Sequence, residues 1–184
     1  MKSIQTEFPG LVVIEPRVFN DDRGYFFESF QEERYREAGI SQKFIQDNES
    51  KSVKNVVRGL HYQLGEFAQA KLVRVVQGCV LDVVVDLRAG SPTFGKWFSV
   101  ELSEDNKKQL FVPRGFAHGF SVLSETAVFA YKCDNGYNQA AERSIHPFDP
   151  QLNIDWRVER SSAIVSEKDS KGPSFESAEM NFTY

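Results

Sequence analysis

Between residues 43 and 133 the chain is a succession of short β-like runs, each cut off by turn chemistry. They are KFIQDNES (43–50), VVRGLHYQL (56–64), KLVRVVQG (71–78), CVLDVVVDL (79–87), KWFSVEL (96–102), QLFVPRGFAHGFSVL (109–123) and TAVFAYKC (126–133). Segments such as AGSPTFG (89–95) and SEDN (103–106) separate them. A chain that turns back this often, with one convincing helix, has to pair its strands with near neighbours. The expectation is therefore an all-β, antiparallel sandwich or barrel of the jelly-roll kind with a few short helices.

The flanks add less regular pieces. LVVIEPRVF (11–19) holds Pro16 and reads as an edge or exchanged strand. NDDRG (20–24) is a turn leading into YFFESF (25–30), read as a strand. QEERYREA (31–38), closed by Gly39, is the helix. From Ala140 onward, HPFDP and EKDSKGP predict loops and short helical turns wrapped on the barrel. With 184 residues, 41% of them hydrophobic, one domain over 1–184 is expected. A net charge of -4 with scattered basic residues argues against a nucleic-acid partner. The sequence has neither a signal-peptide core nor a membrane-length apolar stretch, so a cytoplasmic protein is expected. Cys79 and Cys133 lack CxxC spacing and are expected to be small buried thiols.

Inside one β run, VVRGLHYQ (56–63), lie an arginine and a histidine. In a regular strand Arg58 and His61 face opposite sides, but Gly59 between them is placed for a bulge that turns both inward. In LDVVVDL, Asp82 and Asp86 share a face, and Lys71 at the head of the preceding run is a candidate to neutralise a buried carboxylate. Tyr131 is in step with Ala127 and Phe129, so its phenol points with them and needs a hydrogen-bond partner if buried. PRGFAHGF (113–120) resembles the second motif of the cupin superfamily, small double-stranded β-helix barrels. Metal-binding cupins carry a His-x-His pair in the first motif. Here Gln63 stands at the second position, and only three histidines exist in all, so no metal is expected.

Taken in order, DDRGYFFESF, FIQDNES, RGLHYQ, KLVRVVQG, PRGFAHGF, YKC and SEKD closely resemble the dTDP-4-dehydrorhamnose 3,5-epimerase family, over about residue 5 to about residue 172. The resemblance implies a cupin-like barrel without cofactor or metal, acting on a dTDP-4-keto-6-deoxy sugar. It implies His61 as the base that takes protons from C3 and C5, oriented by Asp169. Lys71 is implied as the enolate stabiliser and Tyr131 as the donor from the opposite face. Arg23, Glu28, Gln46, Asn48, Arg58, His118, Glu142 and Lys168 are implied to hold the nucleotide and diphosphate. It further implies a homodimer in which Phe19 and Arg23, from the N-terminal strands, reach the partner's site.

The chemistry of these residue types fits. Removing a proton beside a ketone needs a base near neutrality and help for the charge that develops on oxygen, and inversion needs a second group on the other face. Three other activities are compatible with the same residues: a 3-only epimerase, a 3,4-ketoisomerase, and a barrel that binds nucleotide sugars without turnover. A metal-dependent cupin oxygenase fits them least.

Overall fold

The computed structural model describes residues 1–184. Two main sheets face each other. The first runs, in spatial order, Lys2–Gln5, Val12–Glu15, Gln109–Val112, Lys71–Gln77, Thr126–Cys133 and Gln46–Val53. The second runs Trp97–Ser103, Cys79–Asp86, Phe116–Val122, Val56–Gln63 and Glu142–Ser144, with Ile164–Val165 parallel to Val56–Gln63. From residue 46 on, the chain crosses repeatedly between the sheets, which is the jelly-roll, cupin-like barrel expected. The only helices are the six-residue Glu32–Glu37, the four-residue Glu167–Ser170 and the short 3-10 turn Gly65–Phe67.

Alternation along the strands feeds three apolar layers. Val80 and Val84 point between the sheets and meet Val73, Val75, Phe120 and Phe129. Leu81, Val83, Val85 and Leu87 point the other way, against Leu152, Trp156 and Phe175 of the C-terminal tail. Because both faces of Cys79–Asp86 are covered, its sequence is a continuous apolar run apart from its two aspartates. A third layer packs Val12, Ile14, Leu72 and Phe111 under Tyr35 of the helix. Each such side chain contributes about 1.5–3 kcal/mol by leaving water.

Several sequence expectations are corrected. Val12–Glu15 lies between two strands, not at an edge, because Pro16 falls just past its end and costs no ladder bond. The edge is Lys2–Gln5, a strand the sequence reading did not anticipate. YFFESF forms a strand only as far as Phe26, in a small exposed hairpin of Phe19–Asp21 with Gly24–Phe26. QLFVPRGFAHGFSVL is two strands in different sheets, broken at Pro113–Gly115, where Gly115 takes φ +88°. Cys133 is fully buried, but Cys79 is only partly so.

The bulge at Gly59 is present. His118 pairs with His61 and Phe120 with Arg58, so three residue steps on one strand oppose two on the other. Gly59 has φ +115°, and a Cβ there would sit 2.6 Å from Gly119 Cα; a Cβ on Gly119 would sit 2.5 Å from the Arg58 carbonyl oxygen. The two strands thus touch backbone to backbone, which only paired glycines allow. Gly119→Ala is expected to lose about 2 kcal/mol or more of unfolding free energy in urea titration, since neither backbone can give way.

Candidate functional site

A cavity of about 140 Å3 opens between the sheets, lined by His61, Tyr62, Gln63, Gln69, Lys71, Val112, Phe116, His118, Tyr131, Tyr137 and Glu142. Lys71 and Tyr131 come from the first sheet, and His61, His118 and Glu142 from the second. A larger groove of about 410 Å3 includes Asp47, Arg74, Gln109 and Lys132. In that groove Lys132 Nζ lies 2.9 Å from Asp47 Oδ1, Gln109 accepts from the Tyr35 hydroxyl at 2.9 Å, and Tyr131 lines both spaces. The smaller cavity differs in bringing two histidines and a lysine to that tyrosine.

His61 Nε2 lies 2.6 Å from Oδ1 of Asp169, and the other Asp169 oxygen accepts the Gly59 N–H at 3.2 Å. The short helix Glu167–Ser170 delivers that carboxylate, with the Ser166 hydroxyl accepting the Asp169 N–H at 3.1 Å. Burial acts to raise the Asp169 carboxyl. The His61 hydrogen bond and charge, helped by the Gly59 N–H, outweigh it and hold the carboxyl below its ordinary value of 3.8. His61 Nδ1 has no partner in the protein and is the ring nitrogen left to the cavity.

Lys71 forms no salt bridge. Its ammonium stands 5.8 Å from the centre of the Tyr131 ring. Desolvation pulls its pKa down, against the opposing pull of Cys133, Asp82 and Glu142. Burial raises the pKa of the Tyr131 phenol, Cys133 and Glu142 add to that, and Arg58 works against it. The Tyr131 hydroxyl makes no hydrogen bond with the protein, so the partner it would need if buried is not supplied from within the chain, and the residue lines the cavity. Asp82 is neutralised differently from expectation: its direct partner is His118, whose Nε2 is 3.0 and 2.9 Å from its two oxygens, while Lys71 contributes only charge. Asp86 binds Arg88 at 2.7 Å and takes hydroxyl hydrogens from Ser91 and Thr93.

Around the rim, Glu142 Oε2 lies 2.6 Å from Lys168 Nζ and accepts the Tyr137 hydroxyl at 2.9 Å. Gln46 donates to Asn48 at 3.1 Å, and Asn48 to the Cys133 sulfur at 3.8 Å. The structure corrects Arg58: despite the bulge its side chain is exposed, crossing to the first sheet where its Nε donates to the Ser52 hydroxyl at 3.0 Å. Phe19, Arg23 and Glu28 do not approach the cavity of their own chain. Phe19 is 50% exposed, Arg23 pairs with Asp21 at 2.6 Å, and Glu28 pairs with Arg34 at 3.0 Å. Gln69 and Tyr137 line the cavity without having been singled out in the sequence, and Gln63 lines it without having been read there as a site residue. Gln63 carried a signal, as the polar residue at the second histidine position of the first cupin motif.

A barrel of this kind, with a histidine–carboxylate pair, a free ammonium and a free phenol around one cavity, is a proton-transfer site in a cupin-like fold. A family model described as dTDP-4-dehydrorhamnose 3,5-epimerase matches residues 5–177. The chain is 52% identical over 180 residues to the dTDP-4-dehydrorhamnose 3,5-epimerase of Shigella flexneri, covering 97% of this chain and 98% of that one. The crystal structure of dTDP-4-dehydrorhamnose 3,5-epimerase from Elizabethkingia anophelis superposes with a TM-score of 0.91 at 53% identity, covering 96% and 97% of the two chains. A dTDP-6-deoxy-D-glucose-3,5-epimerase from Legionella pneumophila, solved with dTDP-4-keto-L-rhamnose, gives a TM-score of 0.91 at 50% identity, covering 96% and 93%. The chain belongs to the dTDP-4-dehydrorhamnose 3,5-epimerase family, and it is an isomerase.

Because the Asp169 carboxyl is held low in the folded state, the stability it adds is present above its ordinary value and is lost as pH falls through the folded value. Denaturation at stepped pH is therefore expected to show wild type losing its advantage over Asp169→Asn below about pH 3.8, the two converging as the carboxylate takes up its proton.

Proposed function

We propose that the protein converts dTDP-4-dehydro-6-deoxy-D-glucose to dTDP-4-dehydro-L-rhamnose. The observation that carries this is the set of three unspent atoms, His61 Nδ1, Lys71 Nζ and the Tyr131 oxygen, around one cavity. His61 Nδ1 takes the proton from C3, and the electron pair of that bond moves into the C4 carbonyl. The Lys71 ammonium meets the charge on the enolate oxygen, in a site dry enough for such a donor to count. Tyr131 then gives its hydroxyl proton to the other face of C3 and regains one from solvent, while His61 releases the proton it took. The same sequence at C5 completes the double inversion. Entry of the base and the acid from opposite sheets is what an inversion needs. Asp169 keeps the His61 proton on Nε2, leaving Nδ1 as the base.

His118, Arg58, Gln46, Asn48, Glu142 and Lys168 are assigned to the substrate's nucleotide and diphosphate, for which Arg58 offers the planar fork that suits phosphate oxygens. Phe19, Arg23 and Glu28 are assigned to the same ligand within a homodimer, with Phe19 and Arg23 reaching the partner's cavity. The exposed aromatics of the hairpin, Tyr25 at 56% and Phe26 at 70%, favour such a partner. The chain is taken as one domain. Its two free cysteines suit a reducing, cytoplasmic setting, and no helix is long and apolar enough to cross a membrane.

With this substrate in deuterated water, NMR is expected to show label entering at both C3 and C5. His61→Asn abolishes both signals, and Lys71→Ala slows both by about 10²–10³-fold. Label at C3 alone would replace the reading with a 3-only epimerase; tight binding without exchange would replace it with a binding barrel. Sedimentation equilibrium is expected to give twice the chain mass, and Phe26→Asp to shift it toward the monomer.

A further inference from the structure

Asp82 has no place in the mechanism above, yet it is costly to keep. It is fully buried on Cys79–Asp86, on the face that also carries Val80 and Val84, where a leucine would pack with Phe120 and Phe129. Burying a carboxylate costs several kcal/mol unless its partner is well placed. Its one hydrogen-bonding partner is His118 Nε2, which both its oxygens approach within 3.0 Å. The plane of that ring is set by stacking on Phe129, with centres 6.0 Å apart and planes 28° apart. Nδ1 of His118 has no partner in the protein and is left to the cavity.

The arrangement repeats the first pair. His61 and His118 face each other as register partners on adjacent strands, each with Nε2 on a buried aspartate and Nδ1 free. We propose that Asp82 is a positioning residue that acts through His118: it keeps a proton on Nε2 and so presents Nδ1 at a fixed point toward the bound substrate. Without the carboxylate, the ring exchanges its proton between nitrogens and rotates, and the substrate meets N–H and lone pair at random. The inference rests on the epimerase reading for its kinetic consequence, but not for its structural one. The other ionisable groups around the pair are His61 on the adjacent strand, Lys71, Tyr131 and Cys133 from the facing sheet, and Glu142 across the cavity, so comparisons are made at one fixed pH.

The test is long-range 1H–15N NMR on protein labelled in its three histidines, assigned with His61→Asn and His146→Gln, alongside steady-state kinetics. In wild type His118 is expected to carry its proton on Nε2. Asp82→Leu is expected to mix the tautomers and lower kcat/KM by about 10–100-fold. Asp82→Asn, whose amide oxygen still accepts from Nε2, is expected to keep the wild-type tautomer and recover most of the rate. A wild-type His118 without a proton on Nε2, or an Asp82→Leu protein with unchanged tautomer and rate, overturns the proposal. If the leucine variant does not fold, Asp82→Ala is read in its place, mixed tautomers with a lowered rate supporting the proposal and an unchanged tautomer and rate overturning it. Failure of the epimerase reading is seen separately, as absence of label at C3 and C5 in wild type.

Discussion

The Asp169 carboxylate is the contact on which the site depends. One oxygen holds His61 Nε2 at 2.6 Å and the other holds the Gly59 N–H, so one side chain fixes both the imidazole and the bulge that aims it. It comes from the far end of the chain, 108 residues after His61. The tail that carries it wraps the second sheet on both sides of Asp169, with Trp156 before it and Phe175 after it buried in one layer with Leu81, Val83 and Val85. Apolar burial on the outside of the barrel thereby sets the chemistry on the inside.

The same division of labour runs through the cavity. The first sheet contributes a cation and a phenol that the protein leaves unpaired; the second contributes two imidazoles, each tethered to a buried aspartate. Desolvation penalises the Lys71 ammonium, and the negative groups around it work against that penalty without a salt bridge to block its access to a ligand. A contact ion pair would stabilise the ammonium more and leave it less to offer. The unpaired state is thus the useful one, and packing of the surrounding sheet supplies the energy to maintain it.

Much of this is legible in the sequence because it depends on local pattern. Turn spacing gave the sandwich, Gly59 gave the bulge, and the motifs RGLHYQ, KLVRVVQG, YKC and SEKD pointed to residues that meet in one region. Two readings failed for nonlocal reasons. Arg58 swings out because Ser52 of the other sheet offers it a hydroxyl. Asp82 chooses His118 over Lys71 because the two lie on adjacent strands of one sheet. Phe19, Arg23 and Glu28 are a different case: the first two sit on a hairpin exposed on the barrel's outside, and a role in a partner's cavity is not something one chain's fold can display. Tyr137 gave no signal at all: it lies in a loop, and only the fold brings that loop over the cavity.

What the sequence by itself determined is the class of architecture and the identities of the reactive groups. Strand alternation, turn residues and glycine placement are properties of a few neighbouring residues, and so are the motifs. What only the tertiary structure decided is which polar atoms remain free. That depends on which strands become neighbours and on which partner reaches a buried group first. Those distances are set by apolar burial summed over the whole chain, which no short stretch of residues records.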